Sequence, residues 1–375
     1  MRFAFTEEQE AMQKATRAFL ATAASSKEVR RASDTPRGWD EAAYAKAAGE
    51  LGWAMLPFAE ADGGLGLSWL EVGVVMEEIG RALFPSPYFS SVCLAGSALA
   101  ALGDETARAR WLAPLATGEA TGALAWGPAD SWRAEATTVT FREVDGGWRL
   151  DGEVPFAPGD ADATTLLVAA RGAGGEIGVF VVGDGDGVAR AARPTLDVTQ
   201  RFFSLSLRGA RVPVDARLGG PGDAGPLLDR ALAGAMAMLA CRQIGAAEAC
   251  LDAAVEYAKT RHQFGKPIGS FQAIKHQLAD VLVSVELARS AAYEAAFLAS
   301  RPGDELHESA WTAKALASAA LSHAAGQSIQ VHGGVGFTWE VDVHLYFKHA
   351  QQTEALLGAP WALREAYAAR MGMGA

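Results

Sequence analysis

Apolar residues recur every three or four positions over residues 39–51 and again over 69–83, which predicts amphipathic helices on either side of the loop Asp62-Gly63-Gly64-Leu65-Gly66. Ahead of them, Thr6 with Gln9 three residues later has the form of a capping box, hydroxyl and amide each satisfying a backbone N–H that the first turn leaves unpaired. Helical patterning continues to about residue 115. From about Thr121 the period shortens: runs at 137–141, 148–150, 164–169 and 177–182 are rich in β-prone residues and divided by turns such as Asp145-Gly146-Gly147. Asp-Gly between apolar runs favours a tight hairpin, because both central positions tolerate positive φ. After Gly219-Gly220-Pro221-Gly222 the helical period returns in three long runs with few breakers, 227–260, 271–299 and 307–330. The order predicts an α+β chain: an N-terminal α-helical domain (1–117), a middle antiparallel β domain (118–220) and a C-terminal helical bundle (221–375) long enough to face a partner.

Composition narrows the function. A chain of 375 residues, half of them hydrophobic, can bury a substantial core. Its formal net charge of −11 provides no basic footprint for nucleic acid or an anionic membrane. Cys93, Cys241 and Cys250 are odd in number and lack a CxxC spacing, which fits reduced thiols in a cytoplasmic protein. The first nine residues have no apolar run, so no secretory leader is expected, and the apolar stretches at 231–241 and 82–103 are respectively too short and too broken to span a bilayer. All seven histidines lie beyond residue 260, yet His344 and His349 are five apart and no HExxH occurs, so no metal site is expected.

Gly63-Gly64-Leu65-Gly66 and Gly333-Gly334-Val335-Gly336 do not follow a strand in a βαβ unit, which rules out a Rossmann or Walker loop. Each reads as a turn or a helix end, and bare amides at a helix end can still bind a pyrophosphate. The segment from Arg261 to Pro267 is a basic, aromatic break between two long helices, readable as a solvated loop or as a site. Trp126, Trp132, Trp148 and Phe156 read either as core or as walls for a flat cofactor.

Several motifs then occur in a telling order. They are Phe5-Thr6-Glu7-Glu8-Gln9; Leu51-Gly52-Trp53 through Pro57, Glu60, Gly63-Gly64-Leu65-Gly66-Leu67 and Glu77-Glu78-Ile79-Gly80; Arg261-His262-Gln263-Phe264-Gly265-Lys266-Pro267-Ile268 with Phe271-Gln272; and Gln330-Val331-His332-Gly333-Gly334-Val335-Gly336-Phe337. With them the whole chain resembles the acyl-CoA dehydrogenases. The resemblance implies a helical domain, a β domain and a C-terminal four-helix bundle, with non-covalent FAD and oxidation of acyl-CoA thioesters to 2-enoyl-CoA. In that chemistry a glutamate removes the α-proton while hydride leaves the β-carbon for the flavin, and an electron-transfer flavoprotein accepts the electrons. Carried over, Arg261, Gln263, Phe264, Gln330, Gly333 and Gly334 would reach across a dimer interface to the ADP half of the neighbour's FAD. Arginine can pair with pyrophosphate, the glycines let backbone approach it, and Phe264 can pack on adenine or ribose.

Elsewhere the chain departs from the family pattern. The flavin-binding threonine of "TEPxxGSD" is Trp126, and "WxT" reads Phe156-Ala157-Pro158, where proline offers neither hydroxyl nor N–H. The catalytic glutamate is missing from both family positions, which are Leu357, before Gly358, and Ala235 on the first bundle helix. Glu354 is the nearest carboxylate to the former. No catalytic residue is assigned. Residues serving a neighbour's FAD are thus retained while those serving the chain's own flavin are altered. That asymmetry implies the partner subunit of an α2β2 heterotetramer, similar to two-subunit bacterial enzymes that include a group linked to sterol side-chain breakdown. A second acyl-CoA dehydrogenase subunit and an acyl-CoA are the expected partners. Two other readings stay open: a self-sufficient homotetramer with a displaced base such as Glu354, and a non-enzymatic acyl-CoA-binding or scaffold protein. The small residues at 231–240 suggest either space near an acyl pocket or tight helix packing.

Overall fold

The computed structural model describes residues 5–373. Residues 1–4, part of the stretch read above as lacking a leader, lie outside them. The first third is helical: α1 (Glu7–Ala23), α2 (Ser26–Ser33), α3 (Glu41–Ala45), α4 (Trp69–Ala82), α5 (Ser97–Leu102), α6 (Glu105–Ala107) and α7 (Ala113–Ala116). The capping box opens α1, with the Gln9 N–H donating to Thr6 Oγ1 at 3.2 Å and the Thr6 N–H to Gln9 Oε1 at 3.1 Å.

Eight strands follow: β1 (Gly122–Ala125), β2 (Thr140–Val144), β3 (Gly147–Pro158), β4 (Thr165–Arg171), β5 (Ile177–Val182), β6 (Val188–Arg193), β7 (Phe202–Pro213) and β8 (Arg217–Leu218). They form one sheet in the order β6-β7-β3-β2-β4-β5-β8, with β1 also on β4. Val144 pairs with Gly147 around Asp145-Gly146, and Gly146 takes φ +78°, as the hairpin reading requires. The expectation of a purely antiparallel domain is corrected: β1 pairs parallel to β4 over Gly122–Ala125, and β2 touches β4 in parallel register at Thr140 and Arg171. The chain leaves β1, builds the β2–β3 hairpin and re-enters at β4 in its original direction. Both parallel partners are almost wholly buried, as parallel pairs usually are.

The C-terminal part contains α8 (Gly225–Thr260), α9 (Gln272–Ala299), α10 (Glu305–His332), α11 (Val343–Ala355) and α12 (Pro360–Arg370). The first three pack on one another, α11 completes a four-helix arrangement, and α12 lies on α10. Residues 231–240 resolve as tight helix packing, with Ala233, Ala235, Ala237 and Ala240 all in the core.

The N-terminal domain meets this bundle through α4. A methyl group on Gly80 would lie 1.8 Å from the carbonyl oxygen of Arg242 on α8, and one on Gly245 would lie 1.8 Å from the carbonyl oxygen of Glu77. At the same crossing Glu78 is buried and accepts from Arg17 Nε at 2.8 Å and Nη2 at 2.6 Å, while Glu77 accepts from Arg289 and Tyr293 of α9. The stretch Glu77-Glu78-Ile79-Gly80 therefore ties α1, α4, α8 and α9 together. Gly245→Val should cost roughly 3 kcal/mol or more, since the clash is with main chain that cannot yield alone. A urea unfolding curve with an unchanged midpoint would refute this account of the crossing.

Candidate functional site

The six residues predicted to face a neighbour's cofactor collect at one end of the bundle. α8 ends at Thr260, and the chain turns back through the short strands β9 (His262–Gln263) and β10 (Lys266–Pro267). The connecting residues, Phe264 and Gly265, take φ of +55° and +80°. A phenylalanine in the left-handed region costs about 1–2 kcal/mol relative to a helical conformation. Here it projects a ring that is 91 % exposed, touched edge-on by Phe271 at 6.1 Å. α10 ends beside it: His332 stacks on Tyr257 of α8 at 4.3 Å, and Val331 shares a core cluster with Ala254 and Ala258. Gly333 then breaks the helix at φ +64°. This packing sets Gln330, Gly333 and Gly334 next to the Arg261–Phe264 segment.

All six are exposed. The side chains of Arg261, Gln263 and Gln330 make no hydrogen bond or ion pair with any described residue, and an added Cβ on Gly333 or Gly334 would meet nothing within 4 Å. Open donors beside open backbone suit a diphosphate and its sugar.

The region around Trp126, Phe156 and Pro158 differs in character. Trp126, 1 % exposed, sits in the core and donates from its indole Nε1 to the Ser131 carbonyl at 3.0 Å. Phe156 lies 4.9 Å from Phe202, and Pro158 closes β3 against Phe202 in the sheet register. Phe156 and Phe202 border a cleft of about 470 Å³ whose walls also include Pro128, Asp130, Leu196 and Leu356, whereas Pro158 faces a separate cleft beside Arg242. Of the other aromatics read as candidate walls, Trp132 packs on the loop at Gly358, and Trp148 packs on Phe141 and Phe180.

Leu357 is fully buried and holds φ +57°, with its N–H donating to the Ala129 carbonyl at 2.9 Å. The loop thus takes a conformation unusual for leucine while presenting no acid. Ala235 is likewise in the core. Glu354 turns away: its Oε2 accepts from Ser322 Oγ at 2.8 Å, and the cleft wall at this turn comes from Gln351, Gln352, Ala355 and Leu356. Among the described residues lining the cleft, the acid is Asp130.

Two buried polar networks support this region, and neither is evident in the linear sequence. Lys314 of α10, with no solvent exposure, donates from Nζ to Ser318 Oγ at 2.8 Å, the Glu354 carbonyl at 3.1 Å and the Gly358 carbonyl at 3.5 Å, so it clamps the loop that carries Leu357. Asp197 accepts from the Thr199 N–H at 2.9 Å, Thr199 Oγ1 at 2.7 Å, Gln200 Nε2 at 2.7 Å and His349 Nδ1 at 2.7 Å. Burial alone would raise its carboxyl, but the charge and hydrogen bond of His349, with Gln200 and Thr199, hold it well below the usual carboxylate range. His349 is therefore a strut between the β domain and α11.

Residues 6–119 match the acyl-CoA dehydrogenase N-terminal domain, and residues 227–372 match the acyl-CoA dehydrogenase C-terminal domain. The acyl-CoA dehydrogenase IpdE2 of Mycobacterium tuberculosis is 36 % identical over 354 residues, which is 94 % of each chain. A chain of the ChsE4-ChsE5 complex from the same species superposes with a TM-score of 0.90 at 28 % identity, covering 100 % of both chains. A chain from a variant of the Tcur3481-Tcur3483 steroid acyl-CoA dehydrogenase superposes at 0.88 with 28 % identity and 98 % of both chains.

Burial pulls the Lys314 ammonium from its ordinary 10.5 down to about 7, against a smaller upward effect of Glu354. Between those values the unfolded chain holds a proton that the folded protein has released, so stability rises with pH, by up to about 1.4 kcal/mol per unit. Below about pH 7 the folded protein bears the buried charge in full. The unfolding free energy of the native protein, measured against Lys314→Met, should shift in its favour between about pH 6.5 and 9.5. A difference that stays constant across that range would show that Lys314 is not desolvated as described.

Proposed function

The chain belongs to the acyl-CoA dehydrogenase family, and from that premise we propose that it is the partner subunit of an α2β2 acyl-CoA dehydrogenase whose other chain supplies the catalytic glutamate. Acyl-CoA dehydrogenases are oxidoreductases that work with FAD, and bound FAD supplies their hydride acceptor. The fit of this chain to FAD is divided. Arg261, Gln263, Gln330 and the two glycines offer free donors and open backbone to an ADP moiety seated in a neighbouring chain. Around the ring position, the buried indole of Trp126 and the imino nitrogen of Pro158 offer no donor to a flavin, and Leu357 cannot accept a proton.

The observation that carries the proposal is Leu357. Its left-handed backbone and its N–H bond to Ala129 fix the loop, while its side chain is inert. α,β-Dehydrogenation needs a carboxylate at hydrogen-bond reach of the α-proton, so a second chain must provide it. Likeness to the ChsE4-ChsE5 complex and to a two-chain steroid acyl-CoA dehydrogenase favours a bulky polycyclic acyl-CoA. We place the complex in the cytoplasm, where the buried, unpaired Cys93, Cys241 and Cys250 would stay reduced.

Purified alone, the chain should be colourless. Combined with its partner it should gain FAD at one per αβ pair, together with dehydrogenase activity. Arg261→Ala in that complex should weaken FAD binding by about tenfold or more, read by flavin fluorescence, because a charge-assisted contact to the diphosphate is lost. Stoichiometric flavin in a homotetramer of this chain would overturn the proposal. Failure of any partner to restore activity would favour the non-enzymatic reading.

A further inference from the structure

A second cleft lies where all three parts of the chain meet, bordered by Trp39 of the N-terminal domain, Ser90, Gly159, Thr199 and Gln200, and Arg242 of α8. Arg242 is 3 % exposed, and its guanidinium makes no hydrogen bond and no ion pair with any described residue. Its Nε is buried without a partner. Burying a guanidinium in this state is costly, and unpaired buried charges are rare unless something brings a counter-charge.

The nearby groups do not supply one directly. Asp197, the acid whose charge acts on Arg242, already accepts from Thr199, Gln200 and His349. Asp160 accepts from Trp39 Nε1 at 3.2 Å and is partly exposed at the cleft rim. The other arginine at the cleft, Arg201, is committed to the carbonyls of Ser33 at 2.8 Å, Arg37 at 3.0 Å and Thr35 at 3.2 Å. Arg242 is left as a cation with unused donors facing a cavity. That cavity measures about 30 Å³. A single water needs roughly 10–15 Å³ by the same kind of measure, so the enclosed space suits one carboxylate, with the rest of any larger ligand lying outside it where the cleft opens to solvent.

We propose that Arg242 forms an anion subsite that takes a carboxylate group, either a free small carboxylate or the far end of a carboxylate-terminated acyl-CoA. A carboxylate's two oxygens match the planar fork of a guanidinium, and the exclusion of water here strengthens that pairing. The inference concerns only this chain's own cleft and does not rest on the partner-subunit reading.

The test is titration of the full chain, in chloride-free buffer, with acetate and adipate, and separately with adipyl-CoA against hexanoyl-CoA, followed by calorimetry and by thermal unfolding. The wild-type chain should bind a carboxylate and unfold at higher temperature in its presence. Arg242→Met should weaken that binding by about tenfold or more while the unliganded variant unfolds no lower than wild type. Preference for adipate over the thioesters identifies a free carboxylate, whereas adipyl-CoA binding tighter than hexanoyl-CoA identifies the tethered form; both support the subsite. No carboxylate response in the wild-type chain, or an equal response in Arg242→Met, overturns it. Should Arg242→Met fail to fold, bromide-soaked crystals of the wild-type chain decide: an anomalous peak at the guanidinium supports the subsite and its absence overturns it. Flavin content, which tests the partner reading, plays no part in these measurements.

Discussion

Two carboxylates with almost no access to water, and two glycines with no room for a methyl group, hold the N-terminal domain to the bundle. Gly80 and Gly245 let α4 and α8 approach until each carbonyl sits where the other helix would carry a Cβ. At that distance Glu77 and Glu78 cannot be solvated, and Arg17, Arg289 and Tyr293 answer them from α1 and α9. Removing one partner of such a pair leaves a buried charge and costs about 3–5 kcal/mol, so these elements hold one relative position.

α8 then acts as the rod that links the functional regions. Ala235 fills the core in the N-terminal half, Arg242 faces the three-way cleft near the middle, and Arg261 stands just past the C-terminal end. Nineteen residues separate Arg242 from Arg261, about 28 Å along a helix rising 1.5 Å per residue. The Arg261 turn and the cleft at Arg242 are therefore remote from each other, although one helix aligns both. The carbonyl of Arg242 touches Gly80, so the packing that fixes the crossing also fixes where that guanidinium enters its cleft.

The loop at residues 356–358 is held from both the bundle and the β domain. Leu357 accepts a left-handed backbone, Lys314 holds the carbonyls of Glu354 and Gly358, and the Leu357 N–H reaches the β domain at Ala129. A buried lysine is an expensive clamp, since desolvation weakens its charge. Its position also bears on Glu354. The same turn of α11 that presents the Glu354 carbonyl to Lys314 sends the carboxylate to Ser322.

Periodicity in the sequence was enough to determine the α, β, α order, the capping box at Thr6, the Asp145-Gly146 hairpin and the long bundle helices, because each depends on neighbours within a few positions. The family resemblance also pointed to Leu357 and Pro158, whose side chains can neither transfer a proton nor donate to a flavin. The parallel pairing of β1 with β4 was not legible, since it depends on where the chain returns after the β2–β3 hairpin. Nor was the burial of Lys314, the His349–Asp197 strut across 152 positions, or the isolation of Arg242. A linear sequence records that a residue can carry charge. Only the fold decides whether water, a partner or an empty cavity meets it, because that depends on segments far apart in the chain arriving at the same point.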